Sequence, residues 1–373
     1  MKILVAGDFR PVFRVAECFE KDDFESVLRE VKPIVENVDY SIVNFESPVV
    51  EHDAKPIVKC GPNLKCTTKG VEALKWTGFN CVTLANNHFL DYGEIGVRDT
   101  INACRKYGID TVGGGMDMEE ASKILYKDID GQKLAIINCC EHEFSIATKD
   151  TPGSNPLNPI KQYYKIKEAR EKADFVLVIT HGGHEHFQLP SPRMVETYRF
   201  FVDAGADAVV NHHQHCYSGY EVYNGKPIFY GLGNFCYEDK GVRNTPWNEG
   251  YMVIVEVKDA SVDFNILPYN QCNGDPQVKM LNEGAFENCL PELNTIIADK
   301  EKLSKAINDY YDSIDDVIGN VFEPIQNRYY LAAKIRGYFP SFLNKKHILK
   351  IKNNVVCEAH NDKLTYWLKK HLL

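Results

Sequence analysis

Five places in the chain set metal-competent or acid–base side chains directly after a short apolar run. They are Gly7-Asp8, Asn44-Phe45-Glu46, Ala85-Asn86-Asn87-His88, His181-Gly182-Gly183-His184-Glu185-His186 and Asn211-His212-His213-Gln214-His215. Six of the twelve histidines fall between 181 and 215. Taken singly, each place has an ordinary explanation: an Asp after a strand is usually a turn residue or a helix cap. Five such clusters on successive strand ends are not ordinary, because chance would scatter them over both rims of a sheet. Two divalent cations about 3.5–4 Å apart can clamp the attacking and leaving oxygens of a displacement at phosphorus. Such a pair needs a carboxylate able to bridge, neutral imidazoles and an open position for water. Asp8 and Glu46 supply carboxylates, Asn87 an amide oxygen, and His181, His213 and His215 imidazoles. In an extended segment His213 and His215, two apart, would point the same way. His88 is placed to protonate a leaving group, and Asp91, three residues on, to orient that imidazole. The donor set suits Mn, Fe or Zn and does not choose among them.

The elements that must position these side chains alternate over the first 260 or so residues. Ile3–Ala6, 41–43, 81–84, 134–138, 175–180 and 208–210 read as buried strands. Helical spacing covers 24–35, 71–77 closed by Gly78, 94–107 stopped by Gly108, 161–172 and 194–204. Alternating βα units with near-continuous apolar strands imply a sheet covered by helices, with ligands gathered where the strands end. From Gly219 the pattern changes to strands at 220–223, 226–230, 252–257 and 262–267, joined by turns such as Asn224-Gly225, and these are expected to form a second sheet packed on the first. After about residue 275, helices are expected at 293–311, 324–336 and 362–373. This divides the chain into a catalytic α/β domain, 1–270, and a helical C-terminal extension, 271–373.

Composition narrows the function classes. The 373 residues are 44% hydrophobic and 25% charged, enough to bury a core without disulfides. A net charge of −9 gives no global reason to bind nucleic acid. The apolar run at the N-terminus is too short for a signal-peptide core, and no stretch reaches the roughly 20 residues that span a bilayer. The expected location is cytoplasmic. Twelve scattered cysteines without a paired CxxC framework read as small buried hydrophobes.

With those motifs in place the sequence resembles the CapA family, the capsule and poly-γ-glutamate synthesis proteins of the calcineurin-like metallophosphoesterase superfamily. The resemblance runs over roughly residues 1–268. It rests on Gly7-Asp8, Asn44-x-Glu46, Ala85-Asn-Asn-His-Phe-Leu-Asp91-Tyr-Gly93, His181-Gly-Gly-His-Glu185, Asp203 through His215, and Tyr230-Gly-Leu-Gly-Asn-Phe235. It implies a four-layer α/β/β/α sandwich with a dinuclear site at one sheet edge. It further implies that Asp8 and His215 hold the first metal, Glu46 bridges, Asn87, His181 and His213 hold the second, and His88 is the general acid. Arg10 stands where the superfamily has a His, Glu46 where it has Asp, and Gln214 where Pro is common. Arg10 leaves two readings open, a more weakly held metal or a cation for a phosphate or carboxylate.

The function implied is a CapA-like, metal-dependent hydrolase of phosphate esters, acting on a small or polymer-linked substrate. The alternative is an accessory protein of capsule or poly-γ-glutamate synthesis that binds or cleaves γ-linked glutamate. Between Arg328 and Cys357 lie seven Lys or Arg and no acid, interleaved with Tyr and Phe. That segment reads as a solvated helical cap, or as a peripheral contact with anionic lipid.

Overall fold

The computed structural model describes residues 1–258, 261–314, 329 and 345–372. Its strands are β1 (Lys2–Arg10), β2 (Tyr40–Phe45), β3 (Cys81–Thr83), β4 (Asp110–Val112), β5 (Gly114–Gly115), β6 (Leu125–Ile129), β7 (Gln132–Cys140) and β8 (Gly153–Ser154). They continue as β9 (Phe175–His181), β10 (Ala208–His212), β11 (Tyr220–Tyr223), β12 (Lys226–Phe229), β13 (Asn234–Tyr237), β14 (Glu249–Lys258), β15 (Ser261–Gln271) and β16 (Val278–Met280).

Among the described residues these strands form an eight-stranded sheet in the order β16-β15-β14-β1-β2-β3-β4, with β13 also on β1, and a six-stranded sheet in the order β11-β12-β10-β9-β7-β6. Alternation of side chains along each strand explains why the two sheets stack. Ile3 and Val5 of β1 and Ile42 of β2 share one core with Leu134 and Ile136 of β7, Leu177 and Ile179 of β9, and Val210 of β10. Their neighbours Leu4, Ala6 and Val43 point the other way, onto Val71, Leu74 and Val97 of the helices Thr68–Thr77 and Gly93–Tyr107. On the far side Ala135, Val176, Val178 and Val209 meet Ile166, Tyr198 and Phe201 of the helices Pro159–Lys172 and Pro192–Ala204. Apolar residues on both faces of a strand give the continuous runs seen in the sequence. The result is a four-layer α/β/β/α sandwich.

The second sheet differs from the expected one. It is not made of the antiparallel strands after Gly219. The parallel strands β7, β9 and β10 are its centre, β12 and β11 extend it, and β14 and β15 instead pair back beside β1 in the first sheet. Hairpin signals identify which strands pair locally; they carry no information about which sheet the pair joins.

Two expected helices are broken. The segment 24–35 forms the short helices Glu25–Leu28 and Lys32–Val35. Pro33 has no N–H to give and its ring would clash with the carbonyl of Arg29. The segment 293–311 forms Cys289–Ala298 and Lys300–Ser313, because Asp299 leaves helical backbone and its carboxylate accepts from the N–H groups of Glu301 and Lys302. The expected helix 324–336 lies, but for Tyr329, outside the described residues, as does most of the basic segment 328–357. The described end of that segment forms the helix Lys345–Val356, which turns at Cys357 into Glu358–Leu372. Among the described residues no helix is long and apolar enough to cross a membrane.

Candidate metal centre

In the first sheet β1, β2 and β3 run parallel; in the second, β9 and β10 do. Their C-terminal ends therefore face one another across the sandwich, and all the expected ligands meet there. Asp8 sits where the register of β1 shifts against both of its parallel neighbours, so its side chain leaves the pleat. The backbone is close there: a Cβ on Gly7 would lie 1.9 Å from the carbonyl oxygen of Gly233, and Asp8 N–H donates to that oxygen at 3.2 Å. Asn44, opposite Asp8 on β2, donates from Nδ2 to Asp8 Oδ1 at 2.7 Å.

Glu46 follows β2 directly. It is fully buried, and neither carboxylate oxygen has a hydrogen-bond partner. Its Oε1 lies 3.7 Å from His215 Nε2 and 3.8 Å from His181 Nε2. His181 Nε2 in turn lies 3.2 Å from Asn87 Oδ1 and 3.1 Å from His213 Nδ1. Two trios result, Asp8–Glu46–His215 and Glu46–His181–His213, each with its ligand atoms within 4.8 Å of one another. Glu46 belongs to both.

His213 and His215 do reach the same site, though not by extended geometry. Their φ angles are 94° and 57°, in the left-handed region that side chains with a Cβ rarely occupy. His213 is held there by its N–H, which donates to Asp8 Oδ2 at 3.2 Å, and His215 by Asn234 Oδ1, 3.0 Å from its Nδ1.

The electrostatics favour a cation. Burial pushes the Asp8 carboxyl up to about 6 against the bonds from Asn44 and His213. Burial, then the charge of Asp8, pushes Glu46 well above the usual range. Burial holds His215 and His212 down at about 3 and His181 well below its ordinary value. Neutral imidazoles facing desolvated carboxylates are a set that a divalent ion completes. The orphaned oxygens of Glu46 are the specific observation that such ions fit.

His88, in the loop after β3, points its Nδ1 at Asp91 Oδ2, 2.7 Å away. Asp91 is fully buried, accepts from the N–H of Leu64 at 2.6 Å, and is ion-paired with the buried Lys59, whose Nζ lies 3.1 Å from the same His88 nitrogen. Arg10, at the end of β1, lays its guanidinium over the Tyr237 ring at 4.9 Å, and its buried Nε has no partner.

Several residues here escaped the sequence reading. His212 is buried against Asp8, Nδ1 to Oδ1 3.7 Å, with both ring nitrogens unpartnered. Lys59 lies in a polar stretch with no motif to mark it. A cavity of about 190 Å³ opens beside the centre, lined by Asn87 and His88 and also by Glu143, Glu185, Asn353 and His360. The last two come from the C-terminal helices, for which no sequence signal pointed to the site. Burial works against the charge on Glu185, yet His213 and His215 hold it down at about 2. His184, by contrast, faces away and bonds Tyr311 Oη at 2.8 Å.

Residues 2–239 match the family model described as bacterial capsule synthesis protein PGA_cap. The capsule biosynthesis protein CapA of Bacillus anthracis is 35% identical over 286 residues, 74% of this chain and 69% of that protein. The PGA biosynthesis protein CapA of Bacillus subtilis (strain 168) is 35% identical over 240 residues, covering 64% of this chain and 63% of that protein, a little under two thirds of its length. Among solved structures, a 5'-nucleotidase precursor from Thermus thermophilus superposes with a TM-score of 0.42 at 11% identity, over 84% of this chain and 59% of that one.

Proposed function

Since this chain belongs to the PGA_cap family of bacterial capsule synthesis proteins, we propose that it is a metal-dependent hydrolase of phosphate esters serving capsule or poly-γ-glutamate biosynthesis. The observation that carries the reading is Glu46, buried, unpartnered and common to both ligand trios. Asp8, Glu46 and His215 would hold one divalent ion, and Glu46, Asn87, His181 and His213 the other. When bound, the pair would supply Lewis-acid polarisation of the ester and a water of lowered pKa.

The chain's own residues do the rest. Asn44 fixes the Asp8 carboxylate, and Asn234 fixes the ring of His215. His88 keeps a proton on Nδ1 against Asp91 and turns Nε2 to the cavity, where it can pass a proton to a departing oxygen. Burial lowers the pKa of this imidazole against the bond to Asp91, which raises it, and the Lys59 charge lowers it further. An anionic ester beside Nε2 would act in the opposite sense and favour the protonated, donating form. Arg10, whose guanidinium lies over Tyr237 and whose charge acts on Glu46, would be the cation for a phosphate oxygen.

The test is hydrolysis of aryl phosphate mono- and diesters with added Mn²⁺. The reading requires turnover in the wild type and its loss in Glu46→Gln and His88→Ala. Turnover that survives removal of all metal with a chelator, or that survives both changes, refutes it. The relatives' names, which speak of capsule and PGA biosynthesis, fit a second reading, an accessory protein that binds or cleaves a γ-linked glutamate polymer. Release of glutamate from that polymer without any phosphatase activity would select it.

A further inference from the structure

Outside the Asp8–Glu46–His181 region the described residues hold a second cluster of metal-competent side chains. Cys357 lies at the bend between the helices Lys345–Val356 and Glu358–Leu372, and is 2% exposed. His360 is three residues on, in the first turn of the second helix, so the two side chains share one face. Glu143, in the loop after β7, faces them. The carboxylate, thiol and imidazole ligand atoms of these three residues all lie within 4.8 Å of one another.

The surroundings are those of a built site. Asn353 sits behind it with its amide nitrogen 3.2 Å from Glu143 Oε1 and 2.8 Å from His360 Nδ1. With Nδ1 so engaged, Nε2 is the ring atom turned inward, 3.5 Å from Glu143 Oε1. An amide N–H donated to Nδ1 leaves the ring proton on Nε2. Zinc at Nε2 therefore requires that proton to move to Nδ1 and the Asn353 amide to turn so that its Oδ1 accepts from it, the usual support of a metal-bound histidine. Glu141 lies close as well, Oε2 to Cys357 Sγ 3.9 Å. The arms of the site are held from both sides: Glu358 pairs with His142 at 2.5 Å, and Arg193 bridges Glu141 at 2.7 Å and Asp362 at 2.8 Å.

We infer that Glu143, Cys357 and His360 bind a zinc ion that clasps the C-terminal helix pair to the wall of the active-site cavity. Thiolate, imidazole and carboxylate together select zinc over magnesium or calcium, and three protein ligands leave a fourth position open. Binding replaces the thiol proton of Cys357 with the metal and releases that proton to solvent. Glu143 and His360 also line the cavity, so the open position faces the space beside Asn87 and His88. The site stands independently of the proposed hydrolase activity.

Cobalt(II) provides the test on the full-length protein. The Asp8–Glu46–His181 centre offers only oxygen and nitrogen, whereas a cobalt–thiolate bond adds an intense near-ultraviolet charge-transfer band. With cobalt added past about three equivalents, enough to fill the paired centre as well, the band is expected in the wild type, lost in Cys357→Ser and His360→Ala, and kept in His213→Ala. A wild-type spectrum without the band overturns the site, and so does a band unchanged in Cys357→Ser. The wild-type spectrum alone can refute it, whatever the folding of the variants.

Discussion

His88 Nδ1 lies 2.7 Å from Asp91 Oδ2, and this contact fixes which nitrogen of the imidazole faces the cavity. Asp91 also neutralises Lys59, whose side chain is 2% exposed. Asp91→Asn keeps the shape and removes the charge, so it loosens the ring and leaves Lys59 a buried, unpaired cation. Turnover of an aryl phosphate should fall by about 100-fold, the scale of a positioned proton donor. Stability should fall by about 3 kcal/mol, the scale of a broken buried pair. Kinetics at saturating Mn²⁺ and a urea melt check both; unchanged turnover would remove Asp91 from the account.

Gly7 is required by the approach of β1 to Gly233. Gly7→Ala puts a methyl 1.9 Å from a backbone oxygen, so one strand must move, and Asp8 moves with it. We expect a loss of about 3 kcal/mol, as for overpacking a rigid core, together with weaker Mn²⁺ binding in a calorimetric titration. Wild-type affinity would mean that Asp8 is not held by this contact.

His184 should make the protein acid-labile. It is 1% exposed, and burial, then the charges of Lys363 and Arg193, hold its pKa well below 6.5. In the unfolded chain the ring takes up a proton near its ordinary value; in the folded chain it does not. The unfolded state therefore binds more protons, so this contribution is complete above about pH 6.5 and is lost as pH falls below it. With metals chelated, His184→Gln should flatten the pH dependence of the urea midpoint between about pH 7 and pH 5, by up to about 1.4 kcal/mol per pH unit. Parallel curves for the two proteins would contradict this.

Much of this was legible before any coordinates. The short apolar runs that end in Asp8, Glu46, His181 and His212 are strands because both faces are covered, and that pattern is local. Gly78 and Gly108 mark helix ends because each adopts positive φ, at 104° and 66°. What sequence could not give was long-range. The sheet that a strand joins depends on partners far along the chain, which is why β14 and β15 were misplaced. Lys59 and His360 reach the cavity only through tertiary packing, and His212 was hidden among the brighter signals of His213 and His215. The left-handed backbone at His213 and His215 breaks the extended rule that pointed to them, and their common direction comes instead from the turn.

Arg193 anchors the C-terminal helix to the body through Glu141, which is 3% exposed, and Asp362. Arg193→Ala leaves Glu141 buried without its cation, at a cost of about 3 kcal/mol. The helix Glu358–Leu372 should then detach readily enough for the buried Cys357 to react with a thiol reagent faster than in the wild type. Mass spectrometry of the Cys357 peptide reads the rate; an unchanged rate would show that Arg193 is not the anchor.

On this account Glu46 is shared by two cations. Electron paramagnetic resonance of the Mn²⁺-loaded protein reads this directly, because two ions bridged by one carboxylate are exchange-coupled. The wild type should give the spectrum of a coupled pair, and Glu46→Gln that of isolated ions. Isolated ions in the wild type, or a coupled pair that survives Glu46→Gln, would contradict the account.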